Sequence, residues 1–372
     1  NHETGKRMAR YATVHGTRRD AVQVEAELKA ETQRGPLVVP QRAMTVDELL
    51  DVWLDHVRTN REMRTLEDYA YCAQRIRRDL GSLRVDRLQP MQVQRWLNAL
   101  QREPRQDGRP GPLSASTIQH HYRALHAALE HGMRMGLMRD NPAAHTTLPH
   151  RQKSEPRVLS DEELQRILDA AQGTRWYALW FVAAHTGMRV GELLGLWWDD
   201  VDWAHRRIHM RRALKTPRSR GQHTPWLGDL KSHEQRTVLL DRATLDVLQR
   251  HRVEQHEQRR HAGEWEHPEH VFVGAGGRWM VASSPSTALS DLCRRLGIDP
   301  PASMHDLRHT HGSQLLAAGW DLAAISERLG HASTAVTAQI YLHAVPGAQE
   351  RYMGNGWQMG GTDNLIMRGE GL

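Results

Sequence analysis

Lysine is almost missing from this basic chain. Of its 50 basic residues only Lys6, Lys29, Lys153, Lys215 and Lys231 are lysines, so arginine carries the formal charge of +6. The planar guanidinium fork pairs bidentately with phosphate oxygens, which suits a nucleic-acid partner; a GC-rich coding sequence produces the same bias. Cysteine is scarcer still. Cys72 and Cys293 lie far apart and neither belongs to a CxxC pair, which excludes a disulfide framework and a thiolate metal knot and leaves both as helix-packing residues. No apolar run approaches the roughly 18 residues of a membrane-crossing helix. The N-terminus lacks the basic, apolar and small-residue order of a secretory signal, so the cytoplasm is the expected location and no membrane partner is expected. What remains, 39% hydrophobic and 25% charged residues over 372 positions, fits two or three domains, each with its own core.

The first stretch, to residue 40, combines Lys6, Arg7, Arg10, Arg18 and Arg19 with a helical pattern after Thr17. Gly35, Pro36 and Pro40 interrupt it, and Thr45-Val46-Asp47-Glu48 reads as a capping box opening a new domain. The periodicity predicts helices over 46–58, 65–79, 90–100 and 116–136, with Arg75, Arg77, Arg78, Arg123 and several histidines on exposed faces that are either solvated or turned to DNA. Asn141-Pro142 and the polar run to Pro156 predict a linker. Ser160-Asp161-Glu162-Glu163, a second capping box, opens a larger domain with helices over 161–171, 176–186 and 190–197. β-prone segments follow at 206–213 and 235–240, then further helices from Thr244. The tail from Gly354 is glycine-rich, with an apolar patch at Leu365-Ile366-Met367.

Four clusters in the larger domain each supply a group that phosphoryl transfer without a metal needs. In Thr186-Gly187-Met188-Arg189-Val190-Gly191-Glu192, glycine ends an apolar helix and Arg189 opens the next, where backbone N–H groups also favour an anion. In His305-Asp306-Leu307-Arg308-His309 the i, i+3 spacing puts an imidazole and a guanidinium on one helix face. His305 and His309 also have the i, i+4 spacing of zinc-protease helices, but Asp306 stands where that motif has glutamate and no third ligand is evident. Leu329-Gly330-His331 has a C-cap glycine and a histidine at the start of a helix that reaches Tyr341 ten residues on. An isolated arginine beside a helix is more often a surface group, and a helical tyrosine more often a packing residue, because a protonated phenol attacks poorly. The combination carries the signal.

Taken together, Arg189 in TGMRVGELLGL, His305 and Arg308 in HDLRHT, His331 in LGHAS, and Tyr341 resemble the tyrosine recombinase, or phage integrase, family, in the family's order and over residues 45–350. The resemblance implies a mainly α fold with a small β-sheet. A helical core-binding domain at 44–144 would be joined by a 145–157 linker to a mixed α/β catalytic domain at 158–350. Residues 1–40 would be a partial arm-site DNA-binding segment and 351–372 a C-terminal tail. It also implies a lysine on a β-hairpin before the HxxR helix. Lys231 in LKSHEQRTV matches; Lys215 competes, and the polar insertion 217–228 departs from the family pattern. The implied activity is site-specific cutting and rejoining of duplex DNA through a 3′-phosphotyrosine at Tyr341. Arg189 and Arg308 would hold the scissile phosphate, Lys231 would protonate the leaving oxygen, and His305 and His331 would assist. No cofactor and no metal is implied. The implied partners are double-stranded DNA attachment sites and three further copies in a synaptic tetramer, with room for an accessory DNA-bending or directionality factor. A type IB topoisomerase-like relaxing enzyme and a non-catalytic DNA-binding regulator are the rival readings. The basic N-terminal segment argues against the first, and the complete residue set against the second.

Overall fold

A computed structural model describes residues 17–19, 21–25, 44–103, 105, 111–151, 156–217, 224–230, 235–331 and 333–341. The chain divides into two compact units, Asn1–Gln152 and Lys153–Leu372. Of the N-terminal segment, 18–19 and 21–25 are helical; the rest of it and the tail beyond 341 lie outside the described residues. No helix among the described residues is long and apolar enough to cross a membrane.

The first unit holds α1 (Val46–Asn60), α2 (Met63–Leu80), α3 (Pro90–Leu100) and α4 (Ala115–Arg134). Helix α1 starts where the capping box places it. Thr45 Oγ1 accepts from the Glu48 amide at 3.3 Å, and the Glu48 carboxylate accepts from the Thr45 amide at 2.8 Å. Val46, Leu49, Leu50, Trp53 and Val57 then form its buried stripe, packing against Cys72, Ala73 and Ile76 of α2. Pro90 opens α3, at a position where a missing N–H is harmless. Arg75 and Arg77 of α2 depart from the sequence expectation of exposed faces. Arg75 is buried against Glu103 and Asp79, Arg77 pairs with Asp47 and Asp51, and Arg78 with Asp79 and Glu103. Neighbouring carboxylates neutralise these three, but Arg78, like Arg123, is exposed as expected.

The second unit runs α5 (Asp161–Ala171), α6 (Tyr177–Thr186), α7 (Val190–Leu194), β1 (Val201–Asp202), β2 (Arg207–Met210), β3 (Ala213–Lys215), β4 (Trp226–Gly228), β5 (Arg236–Leu239), α8 (Arg242–His261), α9 (Ser283–Arg295), α10 (Met304–Ala317), α11 (Leu322–Leu329) and α12 (Thr334–Tyr341). Helix α6 is apolar on every side, the pattern of a helix enclosed by others, and its Leu179, Trp180, Val182 and Ala183 sit in the core. The mainly α architecture with little sheet is as the sequence implies, and the two β-prone segments pair as β2 and β5, but the described residues hold two sheets. One is antiparallel β1-β2-β5, with buried Ile208 opposite buried Val238; the other is the hairpin pair β3-β4. The helix expected over 190–197 ends at Leu194, because β3 lies against Gly195, where a Cβ would come within 2.8 Å of the Leu214 amide nitrogen. Both cysteines are buried and neither is in a disulfide, Cys72 on α2 and Cys293 on α9.

Helix α10 begins at a capping box of its own. Ser303 Oγ accepts from the Asp306 amide at 3.4 Å, and the Asp306 carboxylate takes the Ser303 amide at 2.8 Å. This cap sets the phase of the turn carrying His305 and Arg308. Ser303→Ala should lower the stability of the second unit by about 1 kcal/mol, read as a shifted urea midpoint with unchanged slope; an unshifted midpoint contradicts the role given to the cap.

Candidate active site

The motif residues meet at the C-terminal end of α11. Gly330 takes the left-handed conformation there, with φ of 65°. The Gly330 amide donates to Glu327 O and the His331 amide to Ser326 O, both at 3.0 Å, the crossed bonds of a Schellman turn. The next three carbonyls have no amide of the helix to accept from, and each takes an arginine. Arg236 Nε donates to Arg328 O at 3.1 Å, Arg308 Nη2 to Leu329 O at 2.7 Å, and Arg189 Nη2 to Gly330 O at 2.6 Å. The negative end of the helix dipole favours all three cations.

Arg189 is the N-cap residue of α7, following the left-handed Gly187 that ends α6 with φ of 64°. Glu192, one turn on, holds Arg189 by its amide and by Nη1, both at 2.9 Å. Arg308, on α10, is almost wholly buried and donates its other nitrogen, Nη1, to Gly187 O at 2.7 Å. Burial and the nearby Arg189 lower its pKa to about 9, partly offset by Glu192, so it remains a cation at neutral pH. His305 is exposed on the first turn of α10, its ring edge-on to His309 at 4.3 Å between centroids. His309 is buried, and its pKa falls to about 4 through burial and the His305 charge.

The sequence expectation that one helix carries both His331 and Tyr341 needs correction. Helix α12 starts at Thr334, and His331 lies in the turn before it; the Schellman bond engages its amide and pulls it out of helical register. Its Nδ1 nevertheless shares a 2.8 Å hydrogen bond with Thr337 Oγ1 of α12. Burial and the charges of Arg308 and Arg189 depress its pKa to about 4. Tyr341 ends α12 fully buried, its ring parallel to that of His331 at 6.2 Å and lying on Gly312 of α10, where a Cβ would come within 2.5 Å of the phenol oxygen. Among the described residues the Tyr341 hydroxyl has no hydrogen-bond partner, and burial raises its pKa to about 12 against the pull of Arg308.

Of the sequence candidates, Arg189, Arg308, His331 and Tyr341 come together here, and His305 flanks them on α10. Lys231 lies outside the described residues. Lys215 is at the end of β3, paired across the hairpin with Trp226 and packed over Gly228. Sequence reasoning passed over two residues. Gly312 follows Arg308 by four positions, and Arg236 stands as a lone charge in the β-prone run Arg236-Thr237-Val238-Leu239. Their positions on the His305/Arg308 helix face and next to the lysine segment were the available signals. As for metals, His267, Glu269 and His270 form the one cluster of three potential ligands among the described residues. His270 is committed elsewhere. Its Nε2 accepts from the indoles of Trp197 and Trp279, both at 3.1 Å, and its Nδ1 reaches Leu194 O at 3.2 Å, which fixes the tautomer and leaves no lone pair for an ion.

Two arginines, a histidine and a tyrosine gathered at one helix end form a group chemically suited to a phosphodiester. Residues 157–347, just over half the chain, match the phage integrase family, and residues 45–101 match the phage integrase N-terminal SAM-like domain. The chain belongs to this family, the tyrosine recombinases, enzymes that cleave and rejoin DNA. It is 28% identical over 345 residues to a XerC-like tyrosine recombinase of Caldanaerobacter subterraneus subsp. tengcongensis, covering 87% of this chain and 86% of that one. It is also 28% identical over 353 residues to an integrase of Streptomyces ambofaciens, covering 91% and 86%. The fold resembles that of the Tn1549 transposon integrase solved with circular intermediate DNA, with a TM-score of 0.71 at 22% identity over 84% of this chain and 99% of that one. It also resembles a lambda integrase tetramer bound to a Holliday junction, with a TM-score of 0.59 at 17% identity over 92% and 90%.

The depressed histidines set the acid limit of the fold. His309 and His331 sit near 4, and His311, buried beside Arg328, is pushed down to about 3, against 6.5 for a free imidazole. Between those values the unfolded chain binds more protons than the folded one, so stability rises with pH across the window and falls on acidification from 6.5 toward 4. Each buried ring should cost on the order of 1–2 kcal/mol by pH 4.5. Denaturation midpoints of the full chain at pH 7 and pH 4.5 check this; equal midpoints contradict it.

Proposed function

We propose that this chain is the site-specific recombinase of a mobile element, cleaving duplex DNA with Tyr341 and holding the broken strand as a 3′-phosphotyrosine. The observation that carries the reading is the meeting of Arg189, Arg308 and His331 with Tyr341 around the end of α11. In the free protein the two guanidiniums donate to Gly330 O and Leu329 O. A scissile phosphate offers charged oxygens in place of neutral carbonyls, so their N–H groups exchange the backbone for the non-bridging oxygens and offset charge that grows in the transition state. Tyr341 then passes its phenolic proton to a neutral imidazole, His305 or His331, and attacks phosphorus; the bond to the 5′ oxygen breaks, and that oxygen takes a proton from Lys231. The phosphodiester energy is kept in the new bond, so a 5′-hydroxyl of another strand reverses the step without a nucleotide.

The docked phenol is a stored nucleophile. It is buried, its proton is held more tightly than in water, and it must leave Gly312 to reach DNA. Its apolar partners, Ile325 and Leu329 with Leu315, Leu316 and Ile340, form a small cluster apart from the main core of the unit, so α12 can move without disturbing that core. On this reading residues 44–144 and 158–350 grip the duplex as core-binding and catalytic domains joined by 145–157. Residues 1–40 contribute an arm-site contact, the tail from 351 contacts a neighbouring copy, and four copies act on two attachment sites in the cytoplasm.

The test uses a nicked duplex carrying the sequence that this protein selects from randomised DNA, incubated in EDTA. Wild type should form a denaturation-resistant adduct and Tyr341→Phe none. Lys231→Ala should slow adduct formation by about 100-fold or more, and Lys215→Ala should be within a few-fold of wild type. An adduct of equal yield from Tyr341→Phe, or none from wild type on DNA it binds, overturns the reading; a large loss in Lys215→Ala alone reassigns the lysine.

A further inference from the structure

Glu192 is shared between two guanidiniums. Its Oε1 accepts from Arg189 Nη1 at 2.9 Å and Arg236 Nη1 at 3.0 Å, and its Oε2 from Arg236 Nη2 at 2.7 Å and the Arg189 amide at 2.9 Å. The carboxylate is 2% exposed and the Arg236 side chain 8%, so this is a desolvated pair with all four acceptor positions filled. Burial alone would raise the Glu192 pKa, but the Arg236 hydrogen bond and the charges of Arg236 and Arg189 outweigh it, and the carboxylate stays ionised. The third nitrogen of Arg236, Nε, is fixed on Arg328 O. Gly330 leaves room for this packing, since a Cβ there would come within 2.6 Å of Arg236 Nη1.

We infer that Arg236 is a positioning residue for strand cleavage, occupying one side of Glu192 so that Arg189 engages the carboxylate through a single guanidinium nitrogen and keeps Nη2 turned to the site. Without Arg236 the buried carboxylate has Arg189 as its one remaining cation among these contacts. The Arg189 fork would close bidentately on Glu192, the geometry such pairs favour, and Nη2 would leave the α11 end where the phosphate is to be held. Arg236 also follows Lys231 by five positions, so the same carboxylate anchors the strand that leads out of the lysine segment.

This inference rests on the recombinase reading, and the experiment separates the two. Cleavage is followed in single turnover at saturating nicked duplex, the sequence again selected from randomised DNA. The rate constant then reports the chemistry of folded molecules, while amplitude and DNA affinity are read separately. Arg236→Gln should cleave about 10- to 100-fold more slowly than wild type, the range typical for partners that orient a charged ligand, with unchanged affinity. Arg236→Lys should recover part of that loss, since an ammonium neutralises Glu192 without matching it as a fork. The distinguishing variant is Arg236→Gln with Glu192→Gln. With the competing carboxylate gone Arg189 is released, and the double variant should cleave faster than Arg236→Gln alone. A rate for Arg236→Gln equal to wild type, or a double variant slower than the single, overturns the inference and leaves the recombinase reading standing. No adduct from wild type overturns both.

Discussion

The end of α11 is where the structure of the second unit and its chemistry depend on the same atoms. A helix leaves its last carbonyls without amides, and here a glycine turn satisfies two and three arginines satisfy the next three. Those arginines arrive from β5, α10 and α7, so one helix end ties three distant parts of the chain together. The cost of this arrangement appears in Arg308, whose burial takes it down to about 9. A guanidinium taken out of water is stable only with its N–H groups occupied, and in the free protein Gly187 O and Leu329 O occupy them. On the proposed reading, a site for a phosphate is therefore held in shape beforehand by weaker, neutral acceptors.

The tyrosine is governed by the opposite physics. Its ring is at home in an apolar niche made by the missing side chain of Gly312, and its hydroxyl has nothing to bond within the described residues. An unsatisfied buried hydroxyl costs on the order of 1–3 kcal/mol, which lowers the barrier to release. On the proposed reading, packing keeps Tyr341 near the cations yet unreactive, and the small cluster that holds it is separate from the main core. Reactivity and stability are thus assigned to different parts of the unit.

Much of this was legible in the residue order. Arg189, His305, Arg308, His331 and Tyr341 stand in motifs whose combination, in the order of the tyrosine recombinase family, pointed to a shared phosphate, and the capping boxes at Thr45 and Ser160 fixed helix starts because capping is local chemistry. What escaped was tertiary. That Arg75 is buried against Glu103 depends on a partner 28 residues away. The early end of α7 depends on β3 lying against Gly195, and the role of Arg236 on a carboxylate 44 positions earlier. The start of α12 after His331 was missed because the Schellman bond from the His331 amide, not helix propensity, decides that boundary.

The most direct test of the account is to locate the covalent bond. Adduct formed by wild type on the nicked duplex is trimmed with nuclease, digested with protease and sequenced by tandem mass spectrometry. The account predicts a nucleotide joined through its 3′ phosphate to the peptide containing Gln339, Ile340 and Tyr341, with the added mass on Tyr341. Added mass on any other residue, or attachment through a 5′ phosphate, contradicts it.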